Sequence, residues 1–344
     1  MRDAGMNILI CGPYPEPVGG VSVHIQRLSE LLNSHGFTVG VCDESRIAKA
    51  GVFNLRAGKP VRYIKLLRAA DVVHIHSAIG LLRALHVVAA TIFRKRVVVT
   101  IHSWRKPRLS TKIWGLVLMK TSHKVIFVSL ALKEKFAIPD ALSVVYPAFL
   151  PRLSEADRIP SEILEWVKGQ RGRRKKVFAS NAFRIVEHEG EDLYGLDTCI
   201  EAFSISEVRH HAALVYVVAD SSFNEKKLKR YQEEVSKRKL EDSIFLHFGA
   251  IDFYALLNIV DGSIRATNTD GDALSVRESL YLGVPCIASD CVDRPEGSIL
   301  FSSRSSVSLA EKIVATTLDR EREVSSSGSL EFFDFYKKIY QGKR

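Results

Sequence analysis

Residues 7–32, NILICGPYPEPVGGVSVHIQRLSELL, pass from a short apolar run through a proline- and glycine-rich loop into an amphipathic segment. Asn7–Cys11 predicts a buried strand and Val21–His35 a helix. Strand, tight loop and helix in that order are the opening half of a βαβ unit. The same alternation runs outward from this stretch. Further strands are expected at FTVGVC, VVHIH, RVVVTI, KVIFVS and LSVVY, with helices at PVRYIKLLRAA, LLRALHVVAATIF, TKIWGLVLMKTS and LALKEKF. Strands that are apolar throughout and spaced by helices signal a parallel sheet covered on both faces. This is the doubly wound α/β pattern.

The pattern breaks at YPAFLPRLSEADRIPSE, which carries three prolines in 17 residues, and at the basic run KGQRGRRKK. It then restarts with strands VFAS, ALVYVVAD, SIFLHFG, SIRATN, PCIASD and SILF, again separated by helical stretches. Two Rossmann-like units are therefore expected, over 1–150 and 176–325, with a linker over 151–175. The tail 326–344 contains LEFFDFYKKIYQGK, aromatic at helical spacing, and should bury that face back at the domain junction. A chain of 344 residues with 46% hydrophobic content can supply two cores.

The start of the chain reads as a strand rather than a signal peptide, and no apolar run reaches the roughly 18 residues that a membrane span requires. Five scattered cysteines without a CxxC pair fit reduced thiols and a cytoplasmic setting. The net charge of +10 is lopsided. Residues 1–150 hold 21 Lys/Arg and 8 Asp/Glu, and from Arg46 to Lys124 a single acid, Asp71, interrupts the basic residues. Such a half points to an anionic partner. No zinc-finger, RRM or base-stacking signature accompanies it, so nucleic acid is not the expected one.

In parallel α/β sheets ligands sit beyond the carboxyl ends of the strands. Gly19 and Gly20 precede the first helix, where glycine lets backbone N–H groups approach an anion; a tight turn needing positive φ explains them equally well. His102 follows directly on a buried strand. His74 and His76 end another strand and read more simply as hydrogen-bonded core or rim residues. In TDGDALSVRES (269–279 with Thr269 first), Asp270, Asp272, Arg277 and Glu278 crowd into nine positions between apolar runs. Ser275 and Glu278 have the spacing of a capping box, which leaves Asp270, Gly271 and Asp272 unexplained. Carboxylates at a helix start can also hold ribose hydroxyls, with adjacent N–H groups on phosphate.

Taken in order, GPYPEPVGGVSVHIQRLSELL, DVVHIHSA, TIHSW, VIFVSLALKEKF, YGLDTCIEAFS and TDGDALSVRESLYLGVPCIASD resemble the successive segments of glycosyltransferase family 4. The resemblance implies the GT-B fold: α/β, two Rossmann-like doubly wound parallel-sheet domains facing across a cleft. It implies a retaining glycosyltransferase of hexosyltransferase type that moves a sugar from a nucleotide diphosphate sugar to a glycan or lipid-linked acceptor, in cell-surface polysaccharide or lipopolysaccharide synthesis. By the same resemblance, Glu278 holds the ribose and Asp270, where the family usually has Glu, contacts the donor sugar. Gly271, Asp272, Ala273 and Leu274 form the loop that meets sugar and phosphate. Gly19 and Gly20 face the diphosphate and the acceptor, and His102 lies beside the transferred sugar. No metal or other cofactor is implied. The family's Lys before the glycine at 195, which neutralises the leaving diphosphate, is here Tyr194; Arg184, Arg277 and Arg294 are the cations at hand. The basic first half is expected to attach to an anionic membrane surface at the inner face of the cytoplasmic membrane. A degenerate transferase fold acting as a scaffold is the alternative that Tyr194 motivates.

Overall fold

The computed structural model describes residues 5–15, 19–104, 107–153, 159–270, 273–318 and 329–342. The chain divides into two compact units, 1–153 with 327–344, and 154–326. In the first, seven strands form one parallel sheet: β1 (Asn7–Gly12), β2 (Thr38–Asp43), β3 (Phe53–Asn54), β4 (Val72–Ile75), β5 (Arg96–Ile101), β6 (Lys124–Phe127) and β7 (Ser143–Val145). Their spatial order is β3-β2-β1-β4-β5-β6-β7. Five of the six residues of β5 are buried, as a strand covered on both faces requires. The order reverses between β1 and β4, and such a reversal opens a crevice at the carboxyl ends of the two strands.

Five helices cover this sheet: α1 (Gly20–Ser34), α2 (Pro60–Ala69), α3 (Gly80–Ile92), α4 (Arg108–Thr121) and α5 (Leu130–Phe136). The inward residues of α2 to α5, among them Tyr63, Leu67, Val87, Leu118 and Phe136, share one apolar cluster with β1, β4, β5 and β6. These four helices therefore lie on one face of the sheet.

The second unit opens with α6 (Ser161–Gly172). Its Ile163 and Val167 pack with Val177, Val215 and Leu256. Half of the stretch expected to be linker is thus part of this core. The prolines and the basic run around it mask the i, i+4 pair that Ile163 and Val167 make. Next come β8 (Lys176–Ala182), a hairpin of β9 (Glu187–His188) and β10 (Glu191–Asp192), α7 (Leu196–Ser204), α8 (Ser206–His211) and β11 (Ala212–Val218). They are followed by α9 (Glu225–Lys237), β12 (Ile244–Phe248), α10 (Phe253–Leu257), β13 (Gly262–Arg265), α11 (Leu274–Tyr281), β14 (Cys286–Ser289), β15 (Ile299–Phe301) and α12 (Ser306–Leu318). The six-stranded parallel sheet runs β12-β11-β8-β13-β14-β15, so its reversal lies between β8 and β13.

The tail forms α13 (Ser329–Gln341) and belongs to the first unit. Its aromatic face is buried there. Phe333 stacks on His35 with ring centroids 4.1 Å apart, and Phe335 stacks on Tyr146 at 3.5 Å. The Tyr340 hydroxyl meets His74 Nδ1 at 2.8 Å with both side chains fully enclosed. Truncating such a side chain costs the transfer term plus the cavity left behind. Tyr340→Ala is expected to lose about 3–5 kcal/mol of stability. Tyr340→Phe, which removes only the bond to a buried nitrogen, should lose about 1–3 kcal/mol. Urea unfolding of the two variants against wild type measures both.

Candidate active site

At the reversal of the second sheet, Arg265 ends β13 beside Asn181, near the end of β8. Its Nη1 lies 3.5 Å from the Asn181 carbonyl oxygen. Nε and Nη2 donate to the two oxygens of Asp270 at 2.9 and 3.1 Å. Arg294, in the segment between β14 and β15, approaches the same carboxylate, with Nη1 2.9 Å from Oδ2. It also donates to Thr267 Oγ1, Ser289 Oγ and the Ser289 carbonyl. Burial alone would push the Asp270 pKa up. The attraction of Arg265 and the hydrogen bonds from both guanidinium groups outweigh it and hold it at about 2. Asp270 is therefore ionised, with Arg265 and Arg294 fixed around it.

Below this cluster the backbone of Gly195 runs against Ala266. A Cβ at 195 would stand 2.1 Å from the Ala266 carbonyl oxygen, and φ there is +68°. Only glycine fits both conditions. This contact brings the preceding Tyr194 against the sheet end, where the Arg265 guanidinium lies 5.2 Å from its ring centroid. Arg184, two residues beyond β8, has its guanidinium carbon 4.6 Å from the ring centroids of both Phe183 and Phe223. It pairs with Asp220 at 3.3 Å, while its buried Nε has no partner among the described residues.

Helix α11 begins at Leu274, with Ala273 as its N-cap and no side-chain capping bond. The capping box expected from Ser275 and Glu278 is therefore not formed. Ser275 already lies inside the first turn, where its hydroxyl is too far along the helix to serve as the cap. Glu278 is nonetheless only 4% exposed, and Arg277 is half-buried. Gly271 and Asp272 lie outside the described residues.

The first unit carries its own polar constellation at the β1/β4 reversal. Neither Gly19 nor Gly20 has positive φ, and Gly19 is extended at −157°. A Cβ on Gly20 would meet nothing within 4 Å. The tight-turn explanation does not hold for them, and the start of α1 is left sterically open. His102 and His76 follow β5 and β4 directly, and His76 Nδ1 is 2.9 Å from His102 Nε2. His24, from α1, completes the group, with Nδ1 3.0 Å from the Ala148 carbonyl oxygen. His74 is a satisfied core residue, bonded to Tyr340 and to Thr100. His76 is not: its buried Nε2 has no partner among the described residues.

Burial lowers the pKa of His24 to about 4, and pushes those of His74, His76 and His102 well below the usual histidine value. Close by, Arg83 lies between Trp104 and Trp114, 5.1 and 5.3 Å from their ring centroids. Sequence reasoning passed over Arg265, Arg83 and His24. Arg265 is a lone base in an otherwise strand-like SIRATN, and that isolation was the available signal. Arg83 and His24 sit inside helices, where a polar residue at any one position says nothing about burial.

Residues 181–299 match the family model described as glycosyl transferases group 1, a span that contains Arg184, Arg265, Asp270, Glu278 and Arg294. No curated protein matches the chain. Among solved structures, a glycosyltransferase from Rickettsia africae aligns over 98% of this chain and 100% of its own, at TM-score 0.70 and 16% identity. Anabaena Alr3699/HepE in complex with UDP and glucose aligns over 91% and 90%, at 0.62 and 15%. WaaG, a glycosyltransferase involved in lipopolysaccharide biosynthesis, aligns over 97% and 100%, at 0.59 and 12%. The two units have the GT-B fold of these structures.

Neutral buried histidines tie stability to pH. The unfolded chain takes a proton at His24 below about 6.5, whereas the folded chain resists until about 4. Stability is therefore lost as pH falls through that window. Between pH 7 and pH 5 the loss from His24 alone should be roughly 2 kcal/mol. Denaturant unfolding at the two pH values checks it: the difference should shrink by that amount in His24→Gln.

Proposed function

We propose that this chain, a group 1 glycosyl transferase by the match over residues 181–299 and by its GT-B fold, moves a sugar from a nucleotide diphosphate sugar to a glycan or lipid-linked acceptor with retention at the anomeric carbon. The observation that carries this reading is the ionised, arginine-clamped Asp270 at the β8/β13 reversal, followed by buried Glu278 on α11, all within the matched span. A carboxylate kept nearly out of solvent at a strand's carboxyl end suits hydroxyl recognition. Glu278 is assigned to the ribose. The backbone from Gly271 to Leu274 is assigned to sugar and phosphate, and Asp270 to the sugar subsite.

Departure of the diphosphate leaves negative charge that must be met by fixed dipoles or cations, usually the largest catalytic contribution. Tyr194 cannot supply a cation, but Arg265 lies over its ring and Arg184 stands at the end of β8. We assign the leaving-group charge to these two arginines, which need no metal for the purpose. Arg294 is committed to Asp270, Thr267 and Ser289 and acts by holding that clamp. On the first unit, Gly19 and Gly20 leave the start of α1 open to a phosphate or hydroxyl, and His102 is assigned to the reacting sugar.

Thermal shifts against UDP, GDP, ADP and their sugar conjugates test the donor assignment. A ligand at about 100 times its Kd should stabilise the folded protein by about 2.7 kcal/mol. Glu278→Ala should abolish the shift for every ligand. Arg265→Gln should weaken nucleoside diphosphates while leaving the corresponding nucleoside unchanged. Wild-type protein that responds to none of them would overturn the donor assignment and favour a scaffold on a transferase fold.

The acceptor side is proposed to work at the cytoplasmic face of a membrane. Among the described residues no helix is long and apolar enough to cross one. The outward positions of α2, α3 and α4 instead combine Val61, Leu81, Val88, Ile92, Leu109 and Leu116, all exposed, with Arg and Lys and without a single acid. Apolar side chains that enter the headgroup boundary and basic ones that meet anionic lipid reinforce each other. The protein should co-sediment with anionic vesicles at low salt, less with neutral vesicles, and less still when Leu81→Glu and Leu109→Glu are combined. Absence of binding to anionic vesicles at low salt would point to an acceptor in solution.

A further inference from the structure

We propose that His24, His76 and His102 form a binding site for a divalent first-row transition ion of the zinc class. The three rings stand at the corners of an equilateral triangle. Their centroids are 5.2 Å apart for His24–His76, for His24–His102 and for His76–His102. One nitrogen of each lies within 4.8 Å of the others. A tetrahedral ion with metal–nitrogen bonds of about 2.0–2.1 Å holds its ligand nitrogens roughly 3.3 Å apart. The 2.9 Å between His76 Nδ1 and His102 Nε2 already approaches that spacing.

The ring surroundings suit ligation. A carbonyl oxygen only accepts, so His24 Nδ1 carries the proton toward Ala148, and the Nε2 lone pair, which faces the Tyr336 hydroxyl at a long 3.4 Å, is the one an ion would take over from that weak hydrogen bond. A histidine ligand anchored through its other nitrogen to a backbone carbonyl is the usual supporting arrangement at metal sites. His76 is enclosed on one side by His74, at 4.1 Å between centroids, which fixes its ring plane. When Nδ1 ligates, the single proton of this ring sits on Nε2, the buried nitrogen that has no partner among the described residues, and that unmet donor weakens binding. All three imidazoles are neutral, so no proton has to be lost to bulk solvent from a charged ring. Three nitrogens leave the fourth tetrahedral position for water, the pattern of an open rather than a closed zinc site.

The neighbouring charges decide how tightly an ion would be held. Arg27 acts on His24 and Arg83 on His102, both unfavourably to added positive charge. No carboxylate among the described residues joins the three nitrogens within ligand distance of one another. The site is therefore exchangeable rather than permanently loaded. Because one ligand is the histidine assigned above to the reacting sugar, an ion bound here withdraws His102 and lowers transfer. That consequence rests on the proposed function; the binding itself does not.

The test uses the full chain, free of any affinity tag and dialysed against chelator. Cobalt(II) is titrated while its visible bands are followed, because tetrahedral and octahedral cobalt differ strongly in intensity. The expected result is a tetrahedral spectrum that saturates at one ion per chain and is bleached by zinc. His76→Gln and His102→Gln should each weaken cobalt binding by more than about 100-fold. His102 is only partly buried, so His102→Gln serves where His76→Gln fails to fold. His210→Gln, on α8, and Glu278→Ala should leave the titration unchanged. Absence of a tetrahedral spectrum, or one that survives in His102→Gln, overturns the site. A normal cobalt titration in a protein that binds no nucleotide would remove the transferase reading and leave the metal site standing.

Discussion

At Gly195 the main chain passes so close to Ala266 that no side chain can intervene. The arrangement of the second unit's site follows from that contact. It fixes the start of α7 against the end of β13, so the residue before it must lie over the strand's last side chain. Tyr194 therefore faces Arg265, and Arg265, with its Nε and Nη2 turned away from the ring, closes on Asp270. Asp270 then draws in Arg294 from beyond β14, and Arg294 ties together Thr267 and Ser289. A single backbone approach thus propagates through a ring stack and a shared carboxylate to the ends of two strands. Arginine suits this better than lysine, because a planar fork can hold a carboxylate with two donors while its face stacks on an aromatic ring.

The layout of strands is readable because a parallel sheet buried on both faces leaves a simple trace: runs such as RVVVTI and ALVYVV with no alternation. What escapes such reading is short or depends on distant partners. Phe53–Asn54 and the Glu187–Asp192 hairpin have strands of two residues, too brief for any period. The Ser275/Glu278 spacing fits a capping box, yet the helix starts one residue before Ser275, so a local motif lost to the actual helix boundary. Gly19 and Gly20 stand at the start of α1, next to the helix that the sequence predicted there. Arg265 could not be assigned, because its significance lies in Asp270 and Tyr194 meeting it in space.

The tail shows the same limit more sharply. Its aromatic spacing declares a face that must be buried, but not against what. Tyr340 and His74 are separated by 266 positions and meet as a fully enclosed pair. The last helix of the chain thus completes the core of the first unit, behind the histidines at its strand ends. Tyr336 adds to this, with its hydroxyl 3.4 Å from His24 Nε2. A covalent order of first unit, second unit, first unit means that the first cannot reach its final packing before the second unit and α13 have been made.

The two strand-end constellations solve the same problem of burial in opposite ways. In the second unit charge is retained: the guanidinium groups compensate Asp270 and hold its carboxyl pKa at about 2, below the usual carboxylate range. In the first, the buried groups are imidazoles that give up their charge, and burial is the leading cause in each case. A compensated ion cluster is rigid, since removing one member leaves another charge buried without its partner. A group of neutral imidazoles is adaptable, because each ring can change tautomer, accept a hydrogen bond or offer a lone pair at little cost. Rigidity suits the recognition of a fixed charged substrate such as a diphosphate. Adaptability suits a place where hydroxyl groups of varied acceptors, a proton or an exchangeable ion must be accommodated in turn. The contrast between the units therefore follows from which residue types their sheets present at the point where strand order reverses.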